Sequence, residues 1–177
     1  MTPSLTDGQV NSLLRAFLLL ILPQPVEVLI GQANRVGEPP SDDYVVFWST
    51  LRKRLGTTVQ TWDESHAGNP AVQSNTESLQ ITMQLDFHGS QSTDLAQTFA
   101  TLFRSDYACQ YWSQYSIQPD YCSDGQQMPF INGEDAYEDR WTLSAVFDAN
   151  ISIVSPQQFA DTVTVGLINV DEKYPPS

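Results

Sequence analysis

Between Leu79 and His88 the side chains alternate without a break. Leu79, Ile81, Met83, Leu85 and Phe87 are apolar, and Gln80, Thr82, Gln84, Asp86 and His88 are polar. A period of two predicts a strand with one buried face and one wet face. Gly89 ends it, and the period changes to three and four at Leu95, Ala96, Phe99, Leu102 and Phe103. That spacing places one apolar stripe on a helix. Ser90 or Ser92 is the expected cap, and Asp94 in the first turn suits the helix dipole. No phosphate-binding loop separates strand from helix, so the pair reads as a structural module and not as a nucleotide site.

A second alternating run is longer. Trp141, Leu143, Ala145, Phe147, Ala149, Ile151 and Ile153 interleave with Thr142, Ser144, Val146, Asp148, Asn150 and Ser152. At ~3.3 Å per residue this run would extend roughly 43 Å, so either it bends or part of it projects beyond the compact domain.

The remaining elements are read around these two. Thr6 and Gln9 form a capping box for a first helix, whose stripe is Val10, Leu13, Leu14, Phe17, Leu18 and Ile21 and whose stop is Pro23 with Pro25. Val26 to Ile30 reads as a strand, and Gly31 to Ser41 as a loop by composition. Tyr44 to Leu51, apolar on both faces, reads as a central strand, with the β-rich Thr57 to Trp62 pairing beside it. Ser65 to Ser78 is polar and reads as a hairpin tip or long loop. Tyr107 to Gly133 reads as an extended excursion with one short strand near Tyr115 to Ile117. Ser155-Pro156 opens a short helix through Phe159, and Val163 to Val170 alternates with a slip near Gly166 that suggests a bulge. The sum is one α+β domain over residues 1–177: an antiparallel sheet with two helices on one face, long strands reaching outward, and loose tails at 1–8 and 172–177.

Composition narrows the function. The 177 residues carry 21 acidic and 8 basic side chains, a formal net charge of -13. Wrapping DNA or binding an anionic membrane surface needs clustered cations, so neither fits as the main activity. The apolar run Leu13 to Leu22 contains Arg15 and is too short to span a bilayer, and the residues after Met1 lack the basic start of an export signal. Cys109 and Cys122 make no metal or redox motif, and a reduced, cytosolic history is the default expectation.

The chemistry-bearing residues are few. Gly31 and Gly37 are mis-spaced for a phosphate loop and no Lys follows, and there is no G-x-S-x-G elbow. Asp86 and His88 share a strand face and are the one pair that a small hydrolase could use; the plain alternative is a solvated polar face. Glu134, Asp135, Glu138 and Asp139 could interest only Ca²⁺, and their spacing matches no Ca²⁺ loop. Arg52-Lys53-Arg54 is the single basic cluster, read either as the rim of a protein interface or as a hairpin end marked by Gly56. Arg140, beside Trp141, reads first as the partner of a nearby carboxylate. No catalytic, cofactor or metal constellation emerges, and a binding or assembly role is left.

Three blocks of the chain resemble the phage neck terminator proteins, also called tail terminator or tail-completion proteins. The first is Gly31-Gln32-Ala33-Asn34-Arg35-Val36 with Glu38-Pro39. The second is Gln84-Leu85-Asp86-Phe87-His88-Gly89 followed by Asp94, Ala96 and Leu102 to Tyr107. The third is Pro119-Asp120-Tyr121 with Ser123-Asp124, Gln127, Pro129, Asn132, Glu134, Tyr137 and Arg140-Trp141. Gly37 stands where Pro is expected and Asp120 where Leu is usual.

The resemblance implies a structural virion protein and no enzyme. The expected assembly is a ring, typically a hexamer, that caps the tail tube and meets a neck, head-completion or connector protein. DNA passes through the lumen unbound, with no cofactor and no membrane involved. It further implies residence at the top of the virion tail after assembly in the host cytoplasm, with Asn34, Arg35, Arg52, Lys53, Arg54, Asp86 and Arg140 as candidate subunit-interface residues. A head–tail connector or tail-tube subunit is the nearest alternative.

Overall fold

The computed structural model describes residues 1–31, 42–63, 71–128, 130–131, 137–157 and 164–166. Helix α1 (Asp7–Ile21) starts where the capping box places it. Thr6 Oγ1 accepts from the Gln9 N–H at 3.3 Å, and Gln9 Oε1 accepts from the Thr6 N–H at 2.8 Å. Its buried residues are Val10, Leu14, Phe17 and Leu18, with Leu13 and Ile21 half-buried at the rim. Residues 3 and 4, expected in a loose tail, are tied down: Pro3 bridges Ile153, and the Ser4 N–H donates to the Ser152 carbonyl at 2.9 Å.

Strands β1 (Glu27–Ile30), β2 (Tyr44–Arg54), β3 (Val59–Asp63) and β4 (Val72–His88) follow, then helices α2 (Ser92–Phe103) and α3 (Asp106–Ser113). Strands β5 (Ile117–Cys122), β6 (Gln126–Gln127), β7 (Phe130–Ile131), β8 (Tyr137–Glu138) and β9 (Arg140–Pro156) complete the chain. The main sheet has the order β1-β2-β4-β9-β5, with β3 on β4 and β6 on β9. Every pairing is antiparallel except β1 on β2.

Both alternating runs bury the predicted face. Ile81, Met83, Leu85 and Phe87 of β4 and Leu143, Ala145, Phe147 and Ala149 of β9 are buried in one core with the helices, and Ile151 is buried beyond it. Aromatic rings bind the layers together. Phe17 of α1 meets Phe99 of α2 edge-on at 6.3 Å, and Trp112 of α3 packs on Phe147 of β9 at 4.7 Å. Burial of this apolar surface is the main stabilising term of the fold.

Several expectations are corrected. Asp106 to Ser113 is a helix, because Ala108 and Trp112 sit four apart and bury completely; the short strand lies at Ile117–Cys122, after a left-handed Ser116 (φ 58°). Neither Ser90 nor Ser92 caps α2. The cap position is Gln91, whose N–H donates to Asp43 Oδ1 at 3.0 Å, so a carboxylate from the entry to β2 satisfies that helix start. Ser155 and Pro156 end β9 and do not open a helix. Residues 32–41, the Phe159 helix end, Val163, Leu167 to Val170 and the tail at 172–177 lie outside the described residues, and 164–166 are in no strand.

Candidate assembly interface

Strands β4 and β9 pair in one unbroken register from Val72↔Pro156 to His88↔Arg140. At ~3.3 Å per residue, 17 residues make a ribbon of about 56 Å. The helices cover only its proximal part. Cover on β4 ends at Ile81, and on β9 it ends between Ile151 (6% exposed) and Ile153 (41% exposed). The rest is a three-stranded projection of β3 with the distal ends of β4 and β9. Here the Ser65–Ser78 region, read as loop, yields a strand from Val72 onward. Residues 72–77 are half-buried on both faces alike, so the strand carries no apolar alternation and its sequence looks like a loop.

Strand β3 pairs with β4 and not with β2. Because β2 also runs antiparallel to β4, on the same flank, β2 and β3 lie end to end and Gly56 sits in the break between them. The Leu55 N–H donates to the Ser78 carbonyl at 2.9 Å, keeping the break against β4. The hairpin-end reading of Arg52-Lys53-Arg54 is therefore replaced: the triplet lies on one continuing flank of the sheet. Every residue from Thr50 to Asp63 is exposed, including Leu51, Leu55, Val59 and Trp62, the last at 57%.

The triplet alternates between faces. Arg52 and Arg54 register with Ile81 and Leu79 on the helix side, and Lys53 registers with Gln80 on the opposite side. Arg52 reaches Asp7 at the start of α1 at 2.9 Å, and Arg54 lies 3.8 Å from Glu77. Lys53 has no ion pair among the described residues.

Asp86 and His88 are not on a solvated face. They are 3% and 7% exposed. Arg140 crosses from β9 to Asp86 at 3.2 Å, as its reading as a carboxylate partner anticipates, and Gln84 Nε2 donates to Asp86 Oδ1 at 3.1 Å. The Tyr44 ring stacks on His88 with centroids 4.4 Å apart, and Glu138 Oε1 lies 3.4 Å from His88 Nδ1 and accepts from Tyr44 Oη at 3.1 Å. Burial lowers the His88 pKa and outweighs the attraction of Glu138 and Asp86 for its proton. The arrangement is a packed polar joint between strands: the imidazole lies under a tyrosine ring.

At the same proximal end, Asp139 and Asp42 converge on Gly89. The Asp139 carbonyl accepts from the Gly89 N–H at 3.2 Å, and a Cβ on Gly89 would lie 2.3 Å from the Asp42 carbonyl. Asp42 and Asp139 are exposed, and Tyr137 is 82% exposed. Asn34, Arg35, Glu134, Asp135 and His66 lie outside the described residues. Among the described residues no three His, Cys, Asp or Glu side chains are grouped to hold a metal ion, and no helix is long and apolar enough to cross a membrane. Cys109 is exposed and Cys122 buried, both as free thiols, and burial pushes the Cys122 thiol up to about 11.

No curated protein matches the chain in sequence. Among solved structures, the PVC sheath/tube terminator of an extracellular contractile injection system, in its extended state, is similar at 12% identity with a TM-score of 0.46. The match covers 98% of this chain and 66% of that one, so the chain spans just under two thirds of that protein's length. The model of the phage neck terminator proteins matches residues 8–172, which takes in both long strands, all three helices and the three sequence blocks, and the chain belongs to that family.

Proposed function

We propose that this chain is a structural protein of the phage neck, a terminator that assembles with copies of itself into a ring closing the tail tube. Family membership supports the role, and the observation that carries the ring is the projecting ribbon. A three-stranded projection whose outer strand β3 is exposed throughout, with Trp62 at 57% and Val59 at 59% exposure, is a surface built to be covered by another molecule. A ring of identical subunits uses two different surfaces of each copy, so a projection at one end and a receiving surface elsewhere suit it.

The hexameric count, the tail-tube and connector partners and the virion-neck location after cytoplasmic assembly are part of the same proposal. The net charge of -13 favours a lumen that repels passing DNA, the reverse of cationic phosphate binding. A ring structure with a neutral or basic lumen would remove that element. The role is structural and not catalytic: in the polar joint Asp86 is held by Arg140 and Gln84.

The test is depletion during infection followed by imaging of the particles. The expected result is filled heads beside unjoined tails, with tails of irregular length. Normal infectious particles would overturn the proposal. Copy number separates a terminator, present in few copies per particle, from a tube subunit, present in many.

A further inference from the structure

The basic triplet of β2 and the exposed carboxylates of Asp42 and Asp139 lie at opposite ends of the same strand. Residues 52–54 hold three of the eight basic side chains, at the far end of β2. Asp42 lies two residues before β2, and Asp139, also exposed, sits beside Gly89 at that same end. From Asp42 to Lys53 the strand spans roughly 35 Å at ~3.3 Å per residue. A paired strand cannot fold back on itself, so Lys53 cannot meet Asp42 of its own chain.

We propose that the β2–β3 flank of one copy docks on the proximal end of a second copy, with Lys53 facing Asp42 and Asp139. This deepens the ring proposal above and rests on it.

Three features specify the occupant. Outward of Phe47, β2 has no strand beside it among the described residues, and neither does the outer side of β3, so backbone donors and acceptors are open there. Arg52 and Arg54 are engaged by Asp7 and Glu77, while Lys53 has no ion pair among the described residues, so Lys53 of another copy is repelled and a carboxylate-bearing surface is selected. Each end also exposes an aromatic ring, Trp62 on the flank and Tyr137 (82% exposed) beside the carboxylates, and such rings are favoured at interface centres. Because the two surfaces differ, the contact is head-to-tail, the type that closes a ring.

The experiment is complementation of a depleted infection with full-length variants: Lys53→Glu alone, Asp42→Lys with Asp139→Lys, and all three together. The substituted side chains are exposed, and thermal unfolding of each purified variant checks that the fold is kept. A reversed contact should weaken self-association by about tenfold or more, so each partial set should fail to restore titre while the triple variant regains it. Lys53→Glu restoring titre as wild type does would overturn the inference and leave the terminator role standing. Failure of the triple variant as well would also overturn it, assigning the flank to a different partner such as the tube. Normal particles on depletion alone would instead remove the terminator role, and this contact with it.

Discussion

Arg140 of β9 and Asp86 of β4 form an ion pair at 3.2 Å across neighbouring strands, with the carboxylate side chain 4% exposed and the guanidinium 26% exposed. The pair is diagonal, two residues out of direct register, since Arg140 aligns with His88 and Thr142 with Asp86. It lets two charged side chains sit on a face of the sheet that the helices do not cover. Removing Arg140 leaves the Asp86 carboxylate buried without compensation, whereas Arg140 itself keeps contact with solvent.

Arg140→Leu should therefore destabilise the protein by about 2 kcal/mol or more, and the double variant Asp86→Leu with Arg140→Leu by less than the sum of the single changes. Urea unfolding midpoints at constant slope measure both. Additive losses would show that the pair contributes nothing beyond its separate parts.

His88 links stability to pH. Burial holds its folded pKa below the ordinary imidazole value of 6.5, so below that value the unfolded chain binds more protons than the folded one. Stability contributed by neutral His88 is present above ~6.5 and declines as pH falls toward the folded pKa. Thermal midpoints taken from about pH 7.5 down to about pH 5.5, above the main carboxylate range, should fall for the wild type and less for His88→Gln. An equal fall in both would assign the effect to other groups.

Two tryptophans should behave oppositely. Trp112 is fully buried among Phe17, Tyr111 and Phe147, so Trp112→Ala should cost about 3–5 kcal/mol. Trp62 is 57% exposed on β3, so Trp62→Ala should stay within about 0.5 kcal/mol of wild type. Chemical denaturation of the two variants decides. A large loss at Trp62 would mean that the projection contributes to the folded monomer's stability.

Gly89 joins β4 to α2 at φ 95°, and a Cβ there would meet the Asp42 carbonyl at 2.3 Å and Asp43 Oδ1 at 2.4 Å. Gly89→Ala must both strain the backbone and displace the carboxylate that receives the Gln91 N–H. A loss of about 2 kcal/mol or more is expected, read as a lowered unfolding midpoint. A neutral outcome would show that the turn can relax.

The parts legible in the chain are those where one face is buried. Alternation from Leu79 to His88 and from Trp141 to Ile153, and the stripes of α1 and α2, report local burial, and the structure buries the apolar positions from Ile81 to Phe87 and from Leu143 to Ile151, while Leu79 is half-buried and Ile153 exposed. A capping box is likewise local, and Thr6 with Gln9 is found as read. The two-turn helix α3 was not legible, because so short a run of mixed aromatics offers little period to count.

Position on the sheet was settled only in three dimensions. Nothing in Val59 to Asp63 says that it continues the line of β2 along β4, since that depends on a register shared with a distant strand. Nothing in Gln84 to His88 says that its polar side chains are sealed, since the cover comes from Arg140, Tyr44 and Glu138. Which segments are half-buried and how strongly acidic the protein is can be read from the chain alone, because periodicity and charge are local properties. The tertiary structure decided which polar face is closed and which strands stand clear of the core, because both depend on what long-range pairing brings alongside.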